Sequence, residues 1–225
     1  DPINLFSYLA GATKKINFYT SVYILPARNP LRAAKEISTL ANFSNGRFSL
    51  GIGMGWMPEE FQVGEQAFRM RGKRADEMIE VMKKLWTGDM HSFDGEFYNY
   101  EPLEMLPKPN HKIPILVGGF SKPAIRRAAQ HDGWVSDLHS LEELKALIKK
   151  IKQERQEKNR TGEYKIIAFS CWDAFSADGF KKMQELGVTT ITTYPWMLYG
   201  VMNEAPLQEK LDGLKRFSDE IINKF

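Results

Sequence analysis

Three stretches of this sequence combine residue types and spacings that could do chemistry, and each belongs to a run that reads as a strand. The first is Gly118-Gly119-Phe120-Ser121, between the apolar run Ile113–Val117 and a helical pattern from about Lys122 to Gln130. Two glycines let the backbone approach a ligand closely, and a helix start capped by Ser121 offers N–H groups and a dipole end to an anion. A phosphate is the natural guest, and a tight strand-to-helix turn with an ordinary cap is the alternative. The second stretch is Gly51-Ile52-Gly53-Met54-Gly55-Trp56, which ends the strand-like run Arg47–Gly53. Its glycines resemble a dinucleotide fingerprint, but the last gap is wrong for G-x-G-x-x-G. The better reading is a strand end around Gly53 and Gly55 kept bare so that a flat ring system can lie across it. A β-bulge or a barrel corner would ask for the same glycines. The third stretch is Thr20-Ser21-Val22, a small hydroxyl pair inside the bulky run Ile16–Leu25, where plain strand filler is the competing account.

These residues need a frame, and the chain supplies a repeated one. Ile16–Leu25 is rich in β-branched and aromatic residues and stops at Pro26. Asn29 then offers an N-cap with Pro30 at the first helical position, and Leu31, Ala34, Ile37 and Ala41 follow at helical spacing until Asn45-Gly46. Further strands are expected at 47–53, 113–117, from 133 to 135, at 165–171 and at 188–194. Helices are expected at 72–86, 122–130, from Ser140 with its Glu143 capping box, at 179–186, and from Leu207 to about Asn223 with Leu211, Leu214, Phe217 and Ile221 inward. Residues 89–112 break the rhythm: Phe93, Asp94-Gly95 and Phe97-Tyr98 read as an inserted β-hairpin.

Alternating strands and helices imply an α/β fold with a parallel sheet, and ligands of such folds sit at the carboxyl ends of the strands. The whole span 1–225 reads as one domain of the (β/α)8 TIM-barrel type, of which six strand–helix units, numbers three to eight, are present. Leu5–Ala10 look like the end of a preceding helix closed by Gly11, so the chain starts inside a unit. The edge strands Ile16–Leu25 and Val188–Tyr194 lack the lysines and prolines that blunt an open edge. Two further strands are therefore expected between them, from about 50–60 upstream residues at about 30 residues per unit, with a partner chain covering the gap as the alternative.

Composition excludes other classes. The 225 residues carry one cysteine, too few for a disulfide scaffold, and no run of about 18 apolar residues for a membrane span. No signal-peptide pattern opens the chain, so a cytoplasmic location is expected. The net charge of +3 is spread along the chain without a basic block, which argues against nucleic acid as a partner. His91, His111, His131 and His139 are scattered, so no metal site is expected. Cys171 lies in an apolar run and reads as a core residue rather than a nucleophile.

Taken together, Gly51–Phe61, Arg71-Gly72-Lys73-Arg74 before Asp76-Glu77, Leu85-Trp86-Thr87-Gly88, the 93–98 hairpin, Pro114–Gly119, Arg126–Ala129 and Asp132-Gly133-Trp134 resemble the bacterial luciferase-like oxidoreductases. The match is closest to the branch that depends on the deazaflavin coenzyme F-420, and it covers nearly the whole chain. The resemblance implies an eight-stranded (β/α) barrel binding FMN or deazaflavin, with the ring at the barrel mouth and the phosphate on backbone amides. By position it assigns the cofactor to Ser21, Val22, Gly53, Gly55, Gly118, Gly119, Phe120, Ser121, Ser136 and Asp137. It also implies, by position, a non-proline cis peptide at Ser21–Val22 behind the ring. Several deazaflavin members carry a glutamate as catalytic acid after the glycine run; Trp56 stands there, so that acid is not supplied at this position. The resemblance places other catalytic residues on the first two strands of the barrel, and the catalytic set is not named beyond Trp56 as a candidate. Substrate contacts are expected from Met54–Phe68, Trp56 included, and from the Tyr194–Ala205 loop with Tyr194 and Trp196, a patch that would equally suit a homodimer contact. The implied function is hydride transfer or monooxygenation of a small organic substrate with reduced FMN or deazaflavin. A non-catalytic flavin-binding protein of the same fold is the alternative, and a sugar-phosphate barrel enzyme a more distant one.

Overall fold

Residues 1–224 are described by a computed structural model, in which the chain divides into two units, Asp1–Gly118 and Gly119 onward. The first opens with α1 (Pro2–Ala12), where the Asp1 carboxylate accepts the Ile3 N–H at 2.9 Å; the helix runs through Gly11 before it stops. Next come β1 (Phe18–Tyr19), β2 (Tyr23–Ile24), α2 (Pro30–Phe43) and β3 (Phe48–Gly53). Asn29 caps α2 as its sequence suggests, accepting the Arg32 N–H at 3.1 Å. The unit continues with α3 (Pro58–Val63), α4 (Arg71–Leu85), β4 (His91–Asp94), β5 (Asn99–Leu103) and β6 (Ile115–Gly118).

β3 pairs in parallel with β1 and β2 on one side and with β6 on the other. All six β3 residues are buried, as befits a parallel strand covered on both faces. The core around it holds Leu25, Ala34, Ile37, Leu40, Leu50, Ile52, Met78 and Met82. The Arg47 guanidinium ties α1 to the start of β3. It donates to the carbonyls of Ala10, Thr13, Ile16 and Ser44 and to the Thr13 hydroxyl, and lies over the Phe18 ring at 5.1 Å.

β4 and β5 form the antiparallel hairpin of the 89–112 insertion, but its return strand starts at Asn99 rather than at Phe97. The amides of Glu96, Phe97 and Tyr98 instead donate to the Glu77 carboxylate of α4 at 3.0, 2.9 and 2.7 Å. Those three residues are drawn out of the ladder to bind a charged group.

The second unit holds α5 (Lys122–Ala128), β7 (Gly133–Val135), α6 (Leu141–Glu157), β8 (Lys165–Phe169), α7 (Ala177–Leu186), β9 (Thr190–Thr192) and α8 (Leu207–Glu220). β8 pairs in parallel with β7 and β9. Ser140 and Glu143 make the capping box of α6, and Gly187, at φ +102°, ends α7. Trp134, Leu144, Ile151, Ala168, Phe180 and Met183 form this core.

In α8, Phe217 and Ile221 are buried, whereas Leu211 and Leu214 are exposed, against expectation. The inward face is centred on Gly213, where a Cβ would lie 2.8 Å from that of Trp196 in the 3-10 turn Pro195–Tyr199. The helix is rotated to admit that turn, which leaves the two leucines outside. The architecture is thus α/β: β3 with β1, β2 and β6, and β8 with β7 and β9, pair in parallel, and the β4–β5 hairpin is antiparallel. No helix among them is long and apolar enough to cross a membrane.

Candidate functional site

The expected strand at 16–25 is two short strands because the chain leaves the ladder at Thr20-Ser21-Val22. Tyr19 pairs with Ser49 and Tyr23 with Ile52, so three residues on this side face only Leu50 and Gly51. That is a one-residue β-bulge, a device that re-aims side chains near binding sites. The buried Thr20 hydroxyl donates to the Gly51 carbonyl at 2.7 Å and accepts the Gly51 N–H at 2.9 Å. The Ser21–Val22 peptide is cis, with Ser21 exposed and Val22 half-buried.

The bulge explains two glycines. A Cβ on Gly53 would lie 2.3 Å from Val22 Cγ2, and one on Gly118 would lie 2.6 Å from Val22 Cγ1. Neither glycine has a positive φ, so close approach alone requires them. The ends of β3 and β6 are bare because the Val22 isopropyl group fills the space their side chains would take. Gly55 differs: its φ is +72°, and a Cβ there would lie 2.7 Å from the Phe61 ring of α3.

The segment after Gly55 is held by two arginines that the sequence patterns did not single out for a role. Arg71 donates to the Gly55 carbonyl at 3.1 Å and lies 3.8 Å over the Phe68 ring, which meets Phe61 edge-on. Buried Arg74 donates to the carbonyls of Ala67 and Pro26 at 2.6 and 2.7 Å. Their signal was the Arg71–Arg74 cluster, whose fork geometry suits carbonyl clamping. Trp56 is 79% exposed. Beside it, Ile24, Arg28, Met57, Glu59, Glu60 and Val63 line an open cleft of about 570 Å3.

In the second unit Gly119 takes φ +102°, in the left-handed region that favours glycine. Its carbonyl accepts the indole N–H of the fully buried Trp134 at 2.8 Å, which pins the turn to β7. The Ser121 hydroxyl caps α5 by accepting the Ala124 N–H at 3.4 Å. The Phe120 ring is exposed and meets His139 edge-on at 5.6 Å.

Ser136 and Asp137 follow β7. The Ser136 hydroxyl accepts the Phe169 N–H and donates to the Asp137 carbonyl, while the Asp137 carboxylate takes the Leu138 N–H at 2.8 Å. Tyr194 and Trp196 lie 5.7 Å apart, with Lys210 of α8 over the Trp196 ring. The Cys171 thiol is buried and pushed up to about 11, first by burial and then by the charges of Asp173 and Glu143, so it is a poor nucleophile at neutral pH. Among the described residues no group of three His, Cys, Asp or Glu could hold a metal ion.

A parallel α/β framework with a bulge seated on side-chain-free strand ends and a glycine turn before a capped helix defines a class. The sequence model of the luciferase-like monooxygenases matches residues 1–172, and the chain belongs to that family. An uncharacterised protein of Mycobacterium tuberculosis is 37% identical over 221 residues, which is 98% of this chain and 76% of that protein. The pyrimidine monooxygenase RutA of Allorhizobium ampelinum is 26% identical across 78% of this chain and 53% of its own length. The FMNH2-dependent dimethylsulfone monooxygenase of Pseudomonas fluorescens is 29% identical across 72% and 45%.

Among solved structures, the monooxygenase RslO1 from Streptomyces bottropensis superposes with a TM-score of 0.83 at 17% identity, over 100% of this chain and 83% of its own. The coenzyme F420-dependent tetrahydromethanopterin reductase from Methanopyrus kandleri gives 0.81 at 15%, over 100% and 88%. At these identities the likeness shows the fold, that of the TIM-barrel luciferase-like enzymes.

Proposed function

We propose that this protein is an oxidoreductase that uses reduced FMN or the deazaflavin coenzyme F-420 on a small organic substrate. One observation carries the reading: Val22 presents a half-buried apolar wall that exists only because Gly53 and Gly118 have no side chains. The aromatic face of a flat ring system is what such a wall suits, and the residues present therefore fit the group. Gly119, Phe120 and Ser121 would receive the cofactor's phosphate, with Trp134 holding the Gly119 turn in place.

When bound, the reduced cofactor supplies the electron pair for hydride transfer or for oxygen chemistry. The chain's own work is to bind, orient and exclude water. Val22 would back one face of the ring, the segment 54–70 clamped by Arg71 and Arg74 would shape the substrate side, and Trp56 would offer a broad apolar surface there. Ser136 and Asp137 complete the assigned cofactor residues, and Tyr194 and Trp196 the substrate ones. Monooxygenation with reduced FMN is favoured by the relatives named for it, and by Trp56 standing where several deazaflavin members have a glutamate. The deazaflavin reading is supported by the reductase whose fold is shared. A homodimer is part of the proposal, because α8 exposes Leu207, Leu211 and Leu214 along one face.

The test is a titration with FMN and with the deazaflavin, followed at roughly 450 and 420 nm, where the two cofactors absorb. Perturbation of either band supports the reading, and binding of neither refutes it. Oxygen or substrate consumption then separates an enzyme from a flavin-binding protein.

A further inference from the structure

We propose that Thr20 is a positioning residue for the cofactor ring, its hydroxyl fixing the bulge that holds Val22 against Gly53 and Gly118. The inference rests on the reading above, in which Val22 backs the ring. Its basis is the hydrogen bonding of β3. The Leu50 N–H donates to the Pro114 carbonyl on the β6 side, so the N–H and C=O of Gly51 point the opposite way, toward the bulge. Both of those groups are met by one atom, the Thr20 oxygen, at 2.9 and 2.7 Å.

Buried backbone groups must be paired, and a hydroxyl is the smallest side-chain group that donates and accepts at once. The chain can therefore leave the ladder here without stranding the Gly51 N–H. Two bonds to one residue also define the register: one position earlier or later, the hydroxyl would face a residue whose donor and acceptor are turned to β6. Thr20 thus fixes which residue of the bulge, Val22, stands over the two glycines. Threonine in a run of bulky strand formers looks like filler, yet at 3% exposure its polar atom has no solvent to satisfy it.

The test compares the chain with Thr20→Val, which removes the hydroxyl at nearly constant shape, Thr20→Ser, which keeps it, and Thr20→Cys, which keeps a weaker donor. Dissociation constants for FMN and deazaflavin, the visible band of the bound cofactor and the melting temperature are measured for each. Thr20→Val is expected to bind about tenfold more weakly, the equivalent of one net hydrogen bond, with the bound band moved toward that of free cofactor. Thr20→Ser is expected to restore both, and Thr20→Cys to fall between. If Thr20→Val does not fold, Thr20→Cys against Thr20→Ser decides. A lower melting temperature with unchanged affinity and band would make Thr20 merely structural and overturn the proposal. Failure of the unsubstituted chain to bind either cofactor would overturn the functional reading, and this inference with it.

Discussion

Replacing Gly118 by alanine should destabilise the protein through one contact, and removing that contact should reverse the sign. The new Cβ would lie 2.6 Å from Val22 Cγ1. That is roughly 1 Å inside the separation of about 3.5–4.0 Å at which carbon atoms attract. Val22 cannot simply slide away, because its other methyl group already fills the space of a Gly53 side chain. Overpacking of this kind costs about 1–3 kcal/mol. In a Val22→Ala background the remaining neighbours are the Ile52 carbonyl oxygen at 3.4 Å and the residue 22 Cβ at 3.7 Å, which is ordinary contact. Gly118 has no positive φ, so alanine suits its backbone there. It should then gain about 0.4–1 kcal/mol by restricting the unfolded chain. The coupling between the two sites should therefore be about 2 kcal/mol. Urea unfolding midpoints of the four proteins measure it. If Gly118→Ala costs the same in both backgrounds, within about 0.5 kcal/mol, Val22 is not what keeps the strand ends bare. Gly53→Ala should show a smaller reversal, because the residue 22 Cβ stays at 3.3 Å.

Two other outcomes are expected. Arg47→Ala should cost about 2–4 kcal/mol in denaturant unfolding, because it strands several carbonyls at once, and Arg47→Lys should recover only part of that for lack of the planar fork. A cost near zero would mean that the bonds from Arg47 to Ala10, Thr13, Ile16 and Ser44 do not hold α1 in solution. Cys171 should resist a thiol reagent at pH 8 in the native protein and react at once in denaturant. Its folded value near 11 lies above the ordinary thiol value, so the folded state disfavours the thiolate, and stability should fall as pH rises from the ordinary value toward about 11. Rapid native labelling, or a midpoint flat across that range, would contradict the burial.

Element types were legible wherever one local rule acted alone. Asn29-Pro30, the Ser140/Glu143 box and Gly187 each mark a helix end through a hydrogen bond or a positive φ that their own residue types supply. Three of the misreadings involve a partner distant in sequence. Phe97 and Tyr98 have strand-forming side chains, but their amides go to Glu77, about twenty residues earlier. Leu211 and Leu214 sit at helical spacing, but the Trp196 turn takes the adjoining face of α8 at Gly213. The Ile16–Leu25 run has uniform strand propensity, so nothing local marks where it leaves the ladder. That position depends on the register against β3.

The candidate site shows the same limit more sharply. Glycine signals that something comes close without saying what. At Gly53 and Gly118 the approaching group is a side chain of the same molecule, about thirty and ninety-five residues earlier in the chain, and at Gly55 it is the ring of Phe61. Gly119 is required for its backbone conformation, and a Cβ there would meet nothing nearer than Ala124 at 3.3 Å. Four glycines in two similar-looking motifs therefore answer three demands: a bulge, an aromatic lid and a turn. Thr20 is the reverse case, a residue with no distinguishing local signal whose hydroxyl meets both the N–H and the C=O of Gly51. Its role follows from counting three residues against two across the ladder, and that count exists only once both strands are paired. The chemistry of a bulge belongs to the strand opposite it as much as to its own residues. A search for such sites in sequence should therefore look for a small hydroxyl residue in one strand and a glycine at the end of another.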